Sequence, residues 1–214
     1  MKFPKKLRSG RASRASGSML FLAAIGAMVM PQAASAQVRP SAAVRLNQLG
    51  SENQNMVSRV GLWDMTETRW NSPGTAPVST TGLVAERRMI GSYLQEILRP
   101  ASDVTAKAIK RIDYLSFDRV KGQWEYVSMD TRAPVGVMPG QSYTRGNAAG
   151  IDLIFAPLVI AGNGANVEGQ MMRMEQVITR QGPDRDMKEQ YFIMADGTGT
   201  RWLAHRYVYA RRRS

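Results

Sequence analysis

From Val60 onward the chain is a succession of short runs that suit β-strands, each ended by turn residues after roughly ten positions. No other feature constrains the fold as much. Stretches that short cannot form long helices, and their turns return the chain on itself. The runs are Val60–Trp70, Leu83–Ile90, Tyr93–Leu98, Arg111–Arg119, Gln123–Thr131, Ile151–Ile160, Gly169–Arg180, Met187–Met194 and Thr200–Arg211, with Tyr143–Arg145 a further short one. Gly91-Ser92, Val120-Lys121-Gly122, Gln181–Asp184 and Ala195–Gly199 read as hairpin turns, and Ala161–Asn166 as a turn. Asn71–Pro77 and Pro100–Lys110 read as longer connections, and Ala133–Gln141, with Pro134 and Pro139, as a loop. About nine strands joined mostly by hairpins predict an all-β fold, an antiparallel up-and-down barrel of about 8–10 strands, because closure removes the exposed sheet edges. Ahead of them Val44, Leu46, Leu49, Met56 and Val60 recur at loose helical spacing, interrupted by Gly50 and Asn53, which predicts one or two short helices over 42–59.

Alternation assigns faces in some runs. Gln170, Met172, Met174, Gln176 and Ile178 share one face of their strand, opposite Met171, Arg173, Glu175 and Val177. In the last run Trp202, Ala204, Arg206 and Val208 share one face and Leu203, His205, Tyr207 and Tyr209 the other; either set suits an interior.

Several short motifs occur in a telling order. Gly61-Leu62-Trp63 opens the first strand after a short helix, and Ser72-Pro73-Gly74 follows it. Phe117-Asp118-Arg119-Val120-Lys121 joins an aromatic-Asp pair to a basic hairpin, and the next strand, from Trp124, ends in Asp130-Thr131. Asp196-Gly197 precedes a last strand ending in Tyr209-Ala210-Arg211. In this order the chain, over about residues 45–211, resembles a bacterial domain family of unknown function with a lipocalin-like (calycin) barrel. It departs from that pattern at Ser116, where the family has Gly, and over 132–150. The resemblance implies that Gly61, Trp63 and an Arg of the last strand, Arg211 or Arg206, close one end of the barrel through a cation–π contact.

The formal net charge of +12 invites a nucleic-acid reading, but its distribution argues otherwise. Residues 1–18 hold six basic residues and no acidic one; the apolar run Met19–Met30 and Ala34-Ser35-Ala36 follow. That order is a Sec-type signal peptide over 1–36, since the 12-residue run is too short to span a bilayer. Cleavage after Ala36 leaves a flexible lead, 37–44, the barrel domain, 45–211, and a basic tail, 212–214. Three more positive charges are Arg211, Arg212 and Arg213, so the remaining body carries about +3, which needs no polyanion. The expected location is periplasmic or secreted, with no membrane span after cleavage. Arg87, Arg88, Arg173, Glu175 and Lys188 interrupt the runs and disfavour an outer-membrane barrel.

With no Cys and one His, disulfides, thiolate chemistry and multi-His metal sites are excluded. No catalytic residues, metal or cofactor are assigned: Gly-x-Ser-x-Gly is absent, Gly162-Asn163-Gly164 lacks a phosphate-binding helix, and Asp184 with Asp186 makes no calcium loop. A carboxylate pair among Asp64, Glu67, Glu86 and Asp130 would need to face inward, where strand carboxylates seldom point. The expected role is a barrel that holds a small apolar or amphipathic ligand, with Met172, Met174, Trp124, Tyr126, Trp202 and His205 as lining candidates. The alternatives are a heme-binding or enzymatic barrel centred on His205, and a cell-envelope interaction protein without a small ligand.

Overall fold

A computed structural model describes residues 39–213, apart from 49, 104, 134, 148 and 160–166; the segment read as a signal peptide and the expected turn at 161–166 lie outside the described residues. Two short helices lead. Helix α1 (Ala42–Asn47) is capped by the Ser41 hydroxyl, which accepts from the Val44 N–H, and it starts inside the segment read as a flexible lead. The chain breaks at Gln48–Gly50, and α2 (Ser51–Val57) follows.

Eleven strands come next: β1 (Gly61–Arg69), β2 (Val78–Ile90), β3 (Tyr93–Pro100), β4 (Arg111–Asp118), β5 (Gln123–Asp130), β6 (Val137–Gln141), β7 (Gly150–Phe155), β8 (Leu158–Val159), β9 (Met171–Gly182), β10 (Arg185–Met194) and β11 (Arg201–Arg211). Ten of them close into an antiparallel up-and-down barrel. Neighbours in sequence pair, β7 passes directly to β9, and β11 returns to β1 with Trp63 opposite Arg211 and Arg69 opposite His205. The two-residue strand β8 is an extra on the end of β9, with Leu158 opposite Met172. The expected barrel of 8–10 strands is therefore present, with a short helical lead.

Three local expectations differ. Val137–Gln141 is a strand rather than part of a loop, although it contains Pro139. It pairs with β5 along its length but with β7 at only two positions, so Pro139 sits on what is effectively an edge, where a missing N–H is tolerated. Tyr143–Arg145 is irregular instead of a strand, and the Ile151–Ile160 run is broken at Ala156-Pro157 into β7 and β8.

The last strand uses both of its faces. The pairing of β10 with β11 shifts register where Tyr191 meets Leu203 and Gln190 meets His205, leaving Ala204 as an extra residue. Before the bulge Trp202 and Ala204 are buried; after it Tyr207 and Tyr209 are.

At one end α2 lies over β2, β3 and β4. Met56 of α2 joins Leu94, Leu115, Phe117, Trp124, Ile151 and Leu153 in the largest apolar cluster, and the Asn53 side-chain oxygen accepts the Phe117 N–H at 3.1 Å. Burying side chains of this size contributes about 1.5–3 kcal/mol each, so this end anchors the barrel.

Candidate functional site

Sheet alternation sends every second side chain inward whatever its polarity. On β2 the inward set is Leu83, Ala85 and Arg87; on β3 it is Leu94, Glu96 and Leu98; on β4 it is Arg111, Asp113, Leu115 and Phe117. On β10 Asp186 and Lys188 are buried. The middle of the lumen is consequently a charged network. Glu96 accepts from Arg87 at 2.7 Å, Arg111 at 3.1 Å, Lys188 at 3.4 Å and the Tyr209 hydroxyl at 3.0 Å. Lys188 Nζ also donates to Asp113 Oδ2 at 2.9 Å and to the Tyr126 hydroxyl at 2.8 Å. Asp113 takes the Ser128 hydroxyl at 2.7 Å, and Asp186 Oδ2 accepts from both Arg59 and Arg87, at 3.0 and 2.6 Å.

The charges hold one another in their ionised forms. Burial alone would raise the Glu96 carboxyl, but Lys188, Arg87 and Arg111 hold it well below the usual carboxylate range. Burial works against the Lys188 ammonium, and Asp113 and Glu96 outweigh it, raising it above an ordinary lysine. Burial pushes the Tyr126 and Tyr209 phenols well above their ordinary value.

At the end of the barrel away from α2 the lumen opens into a pocket of about 350 Å³. Its apolar wall is Met138, Leu158, Met174 and Phe192, with Trp70 beside them; its polar side is Glu67, Arg111, Asp130, Arg132, Gln190 and His205. Arg132 binds both rim carboxylates, Glu67 Oε2 at 2.6 Å and Asp130 Oδ2 at 2.7 Å. Glu67 Oε1 is 3.1 Å from His205 Nδ1, and the imidazole stacks on Tyr207 at 5.8 Å between centroids. Burial tends to raise the Glu67 carboxyl, but its bonds with His205 and Arg132 hold it down at about 2. So two of the four carboxylates weighed from sequence, Glu67 and Asp130, do meet at the pocket, bridged by a guanidinium. Asp64 and Glu86 point out of the barrel instead, Asp64 bonding Arg212 and Glu86 bonding Arg99.

Of the lining candidates, Met174 and His205 border this pocket. The other four are buried elsewhere. Trp124 packs edge-on against Phe117 and donates its ring N–H to the Arg145 carbonyl. Tyr126 belongs to the charged network. Met172 and Trp202 lie together in a small cluster with Val167, Met194 and Ala204.

Gly61, Trp63 and Arg211 meet at the β1–β11 seam. The Arg211 guanidinium stands 4.2 Å from the Trp63 ring centroid, and Arg87 stands 4.8 Å from it. Gly61 has φ +131°, and a Cβ there would come within 3.0 Å of Arg211 Nη1. Arg206 instead pairs with Glu189 at 2.8 Å.

The network residues Arg87, Glu96, Arg111, Asp113, Asp186 and Lys188 were not singled out as a site by sequence reasoning. A signal was present: the four network charges in β2 to β4 share the parity of buried apolar neighbours, Glu96 standing between Leu94 and Leu98. Of the residues taken as strand interruptions, Arg87 and Lys188 are buried, while Arg88 and Arg173 are exposed.

Fold and site together define a closed antiparallel barrel with a charged lumen and a pocket at one mouth. Residues 48–209 match the family described as "Protein of unknown function (DUF1579)", and the chain belongs to that family. Among solved structures it is similar to Rv2717c from M. tuberculosis, with 14% identity over 78% of this chain and 100% of that one, and a TM-score of 0.48. It is also similar to the S-type phycobiliprotein lyase CPES from Guillardia theta, with 12% identity over 82% of this chain and 99% of that one, and a TM-score of 0.29. No curated protein matches the chain. Among the described residues no cluster of three His, Asp or Glu is set to hold a metal, and no helix is long and apolar enough to cross a membrane.

Proposed function

We propose that this chain is an exported barrel protein that binds a small amphipathic molecule in the mouth pocket. The observation that carries the reading is the division of the pocket: Met138, Leu158, Met174 and Phe192 on one side, and the Arg132-bridged carboxylates with His205 and Arg111 on the other. A cavity of about 350 Å³ lies within the range of small-molecule sites, and a fixed polar side facing an apolar one would orient a ligand that has both characters. Export is supported by the basic, apolar and small-residue order of residues 1–36.

Native mass spectrometry of protein purified from its own cells tests both halves. The expected species begins at Gln37 and carries a retained small molecule that Phe192→Gln releases. Protein that starts at Met1 and remains in the cytosol defeats the export half. Empty protein that also takes up no added amphiphile defeats the binding half.

A second reading follows from His205. A carboxylate fixing Nδ1 of a pocket imidazole is the arrangement that orients a ligating or proton-transferring histidine. Hemin added to the purified protein would then give a Soret shift that is lost in His205→Ala; an unshifted spectrum ends this reading.

A further inference from the structure

We propose that the pocket takes an uncharged ligand, an alcohol or phenol, whose hydroxyl donates to His205 Nε2 while its apolar part lies against Met138, Leu158, Met174 and Phe192. This rests on the binding reading above and names the ligand class.

An ionised Glu67 can only accept a hydrogen bond, so its 3.1 Å contact places a proton on His205 Nδ1. In a neutral imidazole the other nitrogen is then a bare lone pair, an acceptor. Nε2 has no partner among the described residues, and it is not sealed from solvent, the side chain being 19% exposed. The ring packs against Tyr207, parallel to it at 5.8 Å between centroids, and against Phe192, tilted at 5.7 Å. Glu67, Tyr207 and Phe192 all border the pocket, as His205 does, so the imidazole is set in the pocket wall and the pocket is the space its open edge can reach.

The charged groups leave no comparable opening. Arg132 directs Nε and Nη2 to Asp130 and Nη1 to Glu67. Arg111 is held by Glu96 and Asp113. Cations and carboxylates on the polar side thus satisfy one another, and a charged head would have to break an existing pair. Arg69 also borders the pocket, but it is exposed to water, where screening leaves an ion pair little strength. A head that only accepts hydrogen bonds would cover Nε2 and leave it unpaired, whereas a hydroxyl pairs with it.

The chain has one histidine, so 15N-labelled imidazole gives one unambiguous pair of ring signals. The folded, full chain is titrated at about pH 8 with octan-1-ol and its isomer 1-methoxyheptane, which accepts but cannot donate, and with octanoate and octylamine, followed by calorimetry and by those signals. In the free protein Nδ1 should carry the proton and Nε2 should not. Octan-1-ol should move the Nε2 signal and bind about fivefold more tightly than 1-methoxyheptane, the scale of one neutral hydrogen bond, and His205→Leu should erase that preference. Octanoate and octylamine should bind more weakly than octan-1-ol. Should His205→Leu fail to fold, the wild-type ranking and the Nε2 signal decide. A protonated Nε2, an Nε2 signal that bound octan-1-ol leaves unmoved, equal or tighter binding of the ether, or a preference that survives in folded His205→Leu overturns the hydroxyl assignment and leaves amphiphile binding standing. Tighter binding of octanoate or octylamine overturns the uncharged class. Failure of all four to bind overturns the proposal as well, and if protein from its own cells is also empty, the binding reading itself falls.

Discussion

The two ends of the lumen are built on the same strands and by the same alternation, yet they hold opposite chemistry. Toward α2, β4 presents Leu115 and Phe117 and β5 presents Trp124, packed with Met56, Ile151 and Leu153. A few residues along those strands, β4 presents Asp113 and Arg111, and β5 presents Tyr126 and Ser128, in a network with Glu96 and Lys188. Burying apolar side chains drives folding. Burying an ion network does not on balance, because the desolvation of each charge offsets much of the attraction. The apolar end therefore holds the barrel together, while the charged network borders the pocket and adds little net stability.

That contrast can be broken most directly by removing one member of each end. Glu96→Gln leaves Arg87, Arg111 and Lys188 without their common acceptor and should cost about 3–5 kcal/mol in denaturant unfolding. Phe117→Ala should cost a comparable 3–5 kcal/mol or so by opening a cavity. The two separate with pH. Because Glu96 is held below its ordinary value of 4.5, its contribution is full above that pH and is lost as the pH falls through its folded value. The Glu96→Gln deficit should thus shrink on acidification while the Phe117→Ala deficit stays; parallel curves would contradict the division of roles.

Smaller effects sharpen the comparison. Arg211→Ala removes the stack on Trp63 and the hydrogen bond from Nη1 to the Val60 carbonyl, and should cost about 1–2 kcal/mol by thermal or chemical unfolding. Glu67→Gln tests the rim. The carboxyl is held at about 2, so its stabilisation is present above pH 4.5 and lost as the pH drops toward 2. The variant should show a flatter stability profile than the wild type across that window; an unchanged slope would show that the His205 and Arg132 contacts do not hold Glu67. Least affected should be Arg206→Ala, whose pairing with Glu189 lies on the outside of the barrel and contributes at most about 1 kcal/mol.

Much of the strand layout was legible because its causes are local. Gly91, with φ +59°, turns Ile90 back onto Tyr93, and the alternation of Met172, Met174, Gln176 and Ile178 matches their burial. Strand β6 was not legible, since Pro139 reads as a breaker unless one knows that its far side is scarcely paired. The last strand was ambiguous in sequence for a reason the bulge at Ala204 explains: neither face is inward throughout. Of the pocket, Met174 and His205 were within reach of sequence reasoning. Glu67 and Asp130 were weighed only as unlikely inward carboxylates, and the Arg132 bridge between them was not foreseen.

By itself, the sequence determined that this chain would be a closed, short-stranded antiparallel barrel with a helical lead. Turn residues, run lengths and a period of two are properties of neighbours in the chain. The tertiary structure alone decided which charges meet. Arg59 and Asp186 are 127 residues apart, and Glu96 and Lys188 are 92 apart. Only closure of β11 onto β1 and of β9 onto β10 brings them into one low-dielectric space, where each charge requires the others.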